Sequence, residues 1–285
     1  MKATLNSGRN GSADHNDRSF DISKADHIDP TRLSHNSYYS YKNISSFSEA
    51  ELQYYKDHYT EWMDVQNKKH IERRQKKRVI SIADLLQGKQ TRPEEIILQI
   101  GNKDEHPDEE VFRACVQDFV KAMAPYAANC HILDVAVHND EATPHAHIRT
   151  VWDFEDKDGV RKISQREGMR QLEIPLPDPG KEESRYNNRK MTLHKQLRET
   201  WYDICEEHEL VIDRMPDLTN TRHLQKNQVI LRDMELQIER QEQRLRELER
   251  EIIAKQIELE TLERDLKSKK KQLKQQQRET DEITH

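Results

Sequence analysis

The chain has 285 residues, 33% of them hydrophobic and 35% charged, with a formal net charge of −6 at pH 7. That balance is too polar for one large globule and fits a domain of moderate size followed by an extended, solvated segment. No apolar run approaches the roughly 20 residues of a membrane-spanning helix, the first residues carry no signal-peptide core, and the scattered Cys115, Cys130 and Cys205 point to a reduced, cytoplasmic setting rather than a disulfide framework or a zinc finger.

In chain order, residues 2–6 predict a short edge strand and residues 7–13, rich in Gly, Ser and Asn, a loop. His15-Asn16-Asp17-Arg18 follows, then Ile28-Asp29-Pro30-Thr31-Arg32, His35-Asn36 and three tyrosines, Tyr38, Tyr39 and Tyr41. Ser48-Glu49-Ala50-Glu51 is a capping-box spelling. It opens a helix with Leu52, Tyr55, Tyr59 and Trp62 at three- and four-residue steps, which reads as a core face rather than a base-stacking platform. That helix is expected to run into a basic block near residue 78, which includes Lys76, Lys77 and Arg78. DNA meets one face of a protein, so this local block matters more than the net charge. A loop with a short helix spans 79–93, and residues 95–101 read as a buried strand. Asp108 then heads a helix whose apolar face is Phe112, Cys115, Val116, Phe119, Val120 and Met123.

The densest chemistry lies between His138 and His147. Residues 132–137 and 148–152 are β-rich runs, and the loop between them ends at Pro144, which lacks a ladder N–H. A β-hairpin follows, with His138 ending one strand and His145 starting the next. Alternation puts His145 and His147 on one face, and antiparallel pairing can bring His138 onto it. Three imidazoles meeting at one point are what a catalytic transition metal with open positions requires. Residues 156–159 form a turn and 160–164 a last strand. The fold class is therefore α+β: an antiparallel sheet with helices on one face and the metal site on the other.

The spelling His138-Asn139-Asp140-Glu141-Ala142-Thr143-Pro144-His145-Ala146-His147 resembles the third motif of the Mob/Pre (MobV) plasmid mobilization relaxases, His-x-Asp-Glu-x-Thr-Pro-His-x-His, within the HUH endonucleases. His15, Asn16, Arg18, Asp29, Arg32 and Asn36 match that family's upstream motifs in order and spacing. The resemblance covers roughly residues 1–175. It implies an HUH relaxase-like palm and a bacterial cytoplasmic enzyme. Its activity would be metal-dependent nicking of single-stranded or supercoiled plasmid DNA at an origin of transfer, leaving the protein on the 5′-phosphate. It also implies Mn²⁺ or Mg²⁺ held by His138, His145 and His147, and His15 as nucleophile through a phosphoramidate; Tyr38, Tyr39 and Tyr41 remain the alternative nucleophiles. An all-imidazole donor set favours Mn²⁺ of the two ions. Glu141 would back the ligands or accept a proton, and Asp140 would orient a ligand histidine. Asn16, Arg18, Asp29, Arg32, Asn36 and the basic block would hold DNA and its phosphates.

Residues 174–180 form a Pro-rich break, and a helix over 189–209 presents Leu193, Leu197, Trp201 and Ile204. Leu224, Leu231, Ile238, Leu245, Ile252, Leu259, Leu266 and Leu273 then recur every seventh residue, which predicts a coiled coil and a homodimer. The expected division is a catalytic domain over 1–175, a linker with an amphipathic helix over 176–221 and a coiled coil over 222–285. Two other readings fit the residues: a metal-dependent hydrolase without a covalent intermediate, and a decayed relaxase that binds DNA and dimerises.

Overall fold

The computed structural model describes residues 1–214 and scattered helical positions between 238 and 270. The chain opens with β1 (Ala3–Gly8) and a one-turn helix, α1 (Ala13–Asn16); two 3₁₀ turns lead to β2 (Ser37–Ser40). A long helix, α2 (Phe47–Glu72), and a short one, α3 (Ile82–Gln87), precede β3 (Glu94–Ile100). After α4 (Glu109–Ala122) come the hairpin strands β4 (Cys130–His138) and β5 (His145–Glu155), then β6 (Arg161–Ile163), α5 (Gln165–Gln171) and α6 (Arg189–Glu207).

The strands form one antiparallel sheet in the order β1-β3-β5-β4-β2, with β6 on the far end of β5. The hairpin lies inside the sheet: β4 and β5 are its longest strands, and both edges of the pair are taken up by partners. Alternation along β5 divides the molecule into layers. Ala146, Ile148 and Trp152 face a core built from Phe112, Cys115, Val116 and Phe119 of α4 and Leu193, Leu197, Trp201 and Ile204 of α6. The periodic face read along α4 is the face it buries.

The opposite side of the sheet carries the histidines, and it is not free of helix. Tyr54, Tyr55 and Tyr59 of α2 pack on Leu133 and Val151, at the end of the hairpin away from its loop. Helices therefore cover both faces rather than one. The physical reason is local: beyond His138 and His147 the same face carries Leu133 and Val151 with the buried Arg149 and Asp153, and α2 covers them with its aromatic stripe, pairing Glu51 with Arg149 and donating the Tyr59 hydroxyl to Asp153. The cap of α2 also differs from the spelling at Ser48. Ser46 holds that position, its hydroxyl accepting from the Glu49 amide at 3.3 Å. Asp108 sits at the N-terminus of α4 without a side-chain capping bond.

The expected domain boundary at residue 175 needs correction. Helix α6 is not a linker element: Trp201 is fully buried, edge-on to Phe119 at 5.7 Å and to Phe112 at 6.4 Å, in the same core as the sheet. The chain divides into units Met1–Met215 and Pro216–His285. Deleting a buried aromatic of this size costs about 3–5 kcal/mol, and whole-domain stability is only about 5–15 kcal/mol. A chain truncated after residue 175 is therefore expected to be insoluble or unfolded. One ending at residue 214 should melt cooperatively, as circular dichroism would show. Most of the heptad series lies outside the described residues; Ile238, Leu245 and Ile252 are helical and more than half exposed. Among the described residues no helix is long and apolar enough to cross a membrane.

Candidate metal centre

The hairpin register sets the site. His138 pairs with His145, and Ala136 with His147, so all three imidazoles share one face at the hairpin mouth. One ring nitrogen of each lies within 4.8 Å of the other two.

Two of the rings have a partner at the back that fixes the tautomer. His138 Nε2 donates to the Asn16 carbonyl at 2.8 Å, which leaves Nδ1 as a lone pair. His145 Nδ1 donates to the Thr143 carbonyl at 3.0 Å, which leaves Nε2 as a lone pair. These two lone-pair nitrogens then face each other at 3.4 Å. Two acceptors at that distance repel unless a cation or proton lies between them. The third ring, His147, has its Nδ1 at 3.2 Å from Glu95 Oε1, and neither of its buried ring nitrogens has a hydrogen-bond partner. Ligand histidines in metal proteins are backed in this way by carbonyls and carboxylates. Two inward lone pairs on fixed tautomers, beside a third ring whose two buried nitrogens are both orphaned, fit a divalent ion of imidazole preference.

Electrostatics agree with that fit. Burial, followed by the nearby Arg18 guanidinium, pushes His138 down to about 2, and burial with His147 lowers His145. Both rings are therefore neutral and ready to donate electron pairs without first losing a proton. Burial alone would raise the Glu95 carboxyl, but His147 and Asn16 outweigh it and hold it low, so the group behind His147 is an anion.

Glu95 was not singled out in the sequence. Its only signal is a charge at the start of an apolar strand, and its pairing partner lies 54 residues downstream at Arg149. A glycine makes room for it: a Cβ on Gly11 would lie 2.4 Å from the Glu95 carboxylate. Glu95→Gln is expected to weaken Mn²⁺ binding about 10- to 100-fold by titration calorimetry, the usual effect of losing a group behind a ligand. Gly11→Ala should displace the same carboxylate and weaken binding in the same direction.

The upstream motif docks onto this face through α1. His15 stands edge-on to His138, at 6.1 Å between ring centres, and to His147, at 5.9 Å. Burial, then the charges of Arg18 and His147, lower its pKa, so it too is neutral near pH 7. Arg18, with φ of 60°, folds back into the hairpin loop. Its guanidinium makes a buried bidentate pair with Asp140, at 2.9 and 2.7 Å, and reaches Glu141 at 3.0 Å. Asn36 grips the same loop, donating to Asp140 Oδ2 at 2.7 Å and accepting from the Asn139 amide at 2.7 Å. Burial would raise the Asp140 carboxyl, but these partners hold it below the usual range. Asp140 is thus a fully paired strut rather than a direct partner of a ligand ring. Glu141 lies 3.8 Å from His145 Nε2.

Several residues expected to hold phosphate are already engaged with protein. Arg18 and Asn36 hold the loop, and the Asn16 amide donates to Glu95 at 2.8 Å. Asp29 caps a 3₁₀ turn, and its backbone amide donates to the Asp140 carbonyl at 2.7 Å. Arg32 pairs with Glu109 at 3.1 Å. Lys76, Lys77 and Arg78 lie beyond the far end of α2, roughly 39 Å of helix from its start. Strand alternation separates the tyrosines. Tyr38 lies on the histidine face, 6.5 Å from the His138 ring. Tyr39 faces the other side, with Val135. Tyr41 bonds Asp57 at 3.2 Å and packs on Tyr54. Of the alternative nucleophiles, only Tyr38 remains near the site.

No family model and no curated protein matches the chain. Among solved structures it is similar to the MobM relaxase domain (MOBV; Mob_Pre) bound to plasmid pMV158 oriT DNA, in a manganese-bound crystal. The identity is 15% and the TM-score 0.49, over 80% of this chain and 97% of that one. A second crystal of that domain gives 14% identity and a TM-score of 0.48 over 82% and 98%. A structure described as the molecular basis of vancomycin resistance transfer in Staphylococcus aureus gives 15% and 0.29 over 47% and 63%.

Proposed function

We propose that the protein is a plasmid mobilization relaxase, which nicks one DNA strand at an origin of transfer by transesterification. The observation that carries this reading is the packing of a neutral histidine, His15, against a cluster of three imidazoles whose ring nitrogens lie within 4.8 Å of one another. A structural metal site would not need a fourth, unligating imidazole at its mouth; a nucleophile must stand there. The Mob/Pre spelling of both motifs points the same way.

In this reading His138, His145 and His147 hold a divalent ion, Mn²⁺ in preference to Mg²⁺. Such an ion, when bound, polarises the scissile phosphate and offsets the charge that develops there. A His15 ring nitrogen attacks phosphorus; the N–P bond forms and the P–O3′ bond breaks. The freed 3′-oxygen takes up a proton, and the phosphorylated imidazolium loses its ring proton to Glu141. The protein remains on the 5′-phosphate, and the free 3′-OH permits religation. Arg18 holds Asp140 and Glu141 in place, with its Nη1 3.4 Å from His15 Nε2. His15 is favoured over Tyr38 on charge grounds: burial lowers the histidine and keeps its ring neutral, whereas burial raises the tyrosine and suppresses its phenolate. The exposed heptad positions of the tail would pair with a second copy.

The test uses 3′-labelled single-stranded oligonucleotides tiled across the DNA flanking the gene, incubated with the full chain and Mn²⁺. The expected result is a protein–DNA adduct that survives denaturant and is destroyed by mild acid, as a phosphoramidate is and a tyrosyl phosphodiester is not. Free cleaved ends without an adduct would favour a hydrolase that uses water as its nucleophile. Intact DNA with retained binding would favour a decayed relaxase.

A further inference from the structure

Two aromatic rings lie along His15 and have no part in the account so far. Phe20 stacks nearly parallel to it, with ring centres 5.5 Å apart and planes 16° apart; His27 does the same at 6.4 Å and 25°. His138 and His147 meet His15 edge-on instead, at interplanar angles of 83° and 77°. His27 is also placed 3.9 Å from Glu141 Oε1 through its Nε2.

The backbone delivers His27 to this position. Its neighbour Ile28 is buried and forms an isolated β-bridge with Glu141, and the Asp29 amide donates to the Asp140 carbonyl at 2.7 Å. The segment that carries His27 is thereby tied to the loop that carries Glu141. Its side chain is nevertheless 47% exposed, so it contributes little to the core. The Phe20 end is tied as well: the Asp17 carboxylate accepts from the Ser19 and Phe47 amides, fixing the turn after α1 against the start of α2.

We infer that His27 is a positioning residue, which with Phe20 fixes the plane of the His15 ring and so the direction from which its nitrogen meets phosphorus. This inference rests on the relaxase reading, in which His15 is the nucleophile. An imidazole has two side-chain torsions, and the one long contact of Arg18 Nη1 with His15 Nε2, at 3.4 Å, leaves the ring plane on this one-turn helix to tilt unless its faces are held. Displacing a reacting atom by about 1 Å can cost about 100-fold in rate. Two parallel rings restrict the rotation that would cause such a displacement, while the edge contacts alone permit the ring to slide.

The test compares His27→Ala, His27→Phe and Phe20→Leu in the full chain, on an oligonucleotide that the unaltered protein nicks. His27→Ala and Phe20→Leu should each lower kcat about 10- to 100-fold with KM little changed. His27→Phe keeps a flat ring and should restore kcat to within a few-fold of the unaltered protein. Imidazole NMR signals of His15 should broaden in His27→Ala and sharpen again in His27→Phe, a readout that needs no DNA. An unchanged kcat in His27→Ala, on a substrate with which His15→Ala forms no adduct, would overturn the inference and leave the relaxase reading intact. A His27→Phe variant as slow as His27→Ala would overturn it too, by assigning the effect to the ring nitrogens. Adducts that persist in His15→Ala would instead remove His15 as the nucleophile, and the inference would fall with that assignment.

Discussion

His138→Ala is expected to abolish tight divalent-metal binding and, with it, any DNA nicking. The ring has no other employment: it is fully buried, one nitrogen is spent on the Asn16 carbonyl, and the other points at His145 Nε2. Losing a group that merely backs a ligand costs about 10- to 100-fold in affinity, so losing one of three ligands should exceed about 100-fold. His145→Ala and His147→Ala should behave alike, since one ring nitrogen of each of the three lies within 4.8 Å of the other two. His131→Ala is the control. It lies on the same strand, but its Nε2 pairs with Asp153 at 2.9 Å, outside the cluster, so Mn²⁺ affinity should stay within a few-fold. Titration calorimetry separates the two outcomes. Folding must be checked alongside, because removal of a buried ring leaves a cavity and an unpaired carbonyl.

His15→Ala should leave metal affinity nearly intact and eliminate the covalent adduct. The ring touches the cluster only edge-on and contributes no nitrogen to it. Loss of a nucleophile that forms a covalent intermediate lowers turnover by about 1,000-fold or more. Tyr38→Phe should change nicking little, because its hydroxyl only accepts from the Asn36 amide at 3.1 Å. An acid-stable adduct in the unaltered protein, lost in Tyr38→Phe and retained in His15→Ala, would reverse the assignment. The split between metal affinity and adduct yield is the informative quantity. A residue needed for folding would lower both, and a ligand would lower both, whereas a nucleophile lowers one.

The sequence carried the hairpin well because its determinants are local. Alternation places His145 and His147 together, Pro144 ends the loop, and a short connection forces antiparallel pairing that returns His138 to its partners. Long-range pairings left no such trace. Glu95 stands behind His147 only because β3 pairs with β5 in one particular register, and nothing within a few residues of Glu95 specifies that register. Arg18 reads as a phosphate ligand because its spacing from His15 is visible, while its partners Asp140 and Glu141 are more than 120 residues away. The same limit explains the helices. Periodicity identifies an apolar stripe on α2, yet it does not say which face of the sheet receives it. The Pro-rich break before α6 imitates a domain boundary. In the folded chain it is a tight return, with Asn187 donating to the Asp178 carbonyl at 2.9 Å and delivering α6 to the core. Among the tyrosines, the faces of Tyr38 and Tyr39 became distinct only once β2 was paired with β4.

The central claim is that three imidazoles of one hairpin bind a single cation beside His15, and crystals grown with Mn²⁺ test it most directly through anomalous scattering at the manganese edge. The account predicts one strong peak within coordination distance of His138 Nδ1, His145 Nε2 and His147 Nε2, with the His15 ring adjacent but unligated. A peak elsewhere, or His15 itself bound as a ligand, would contradict it.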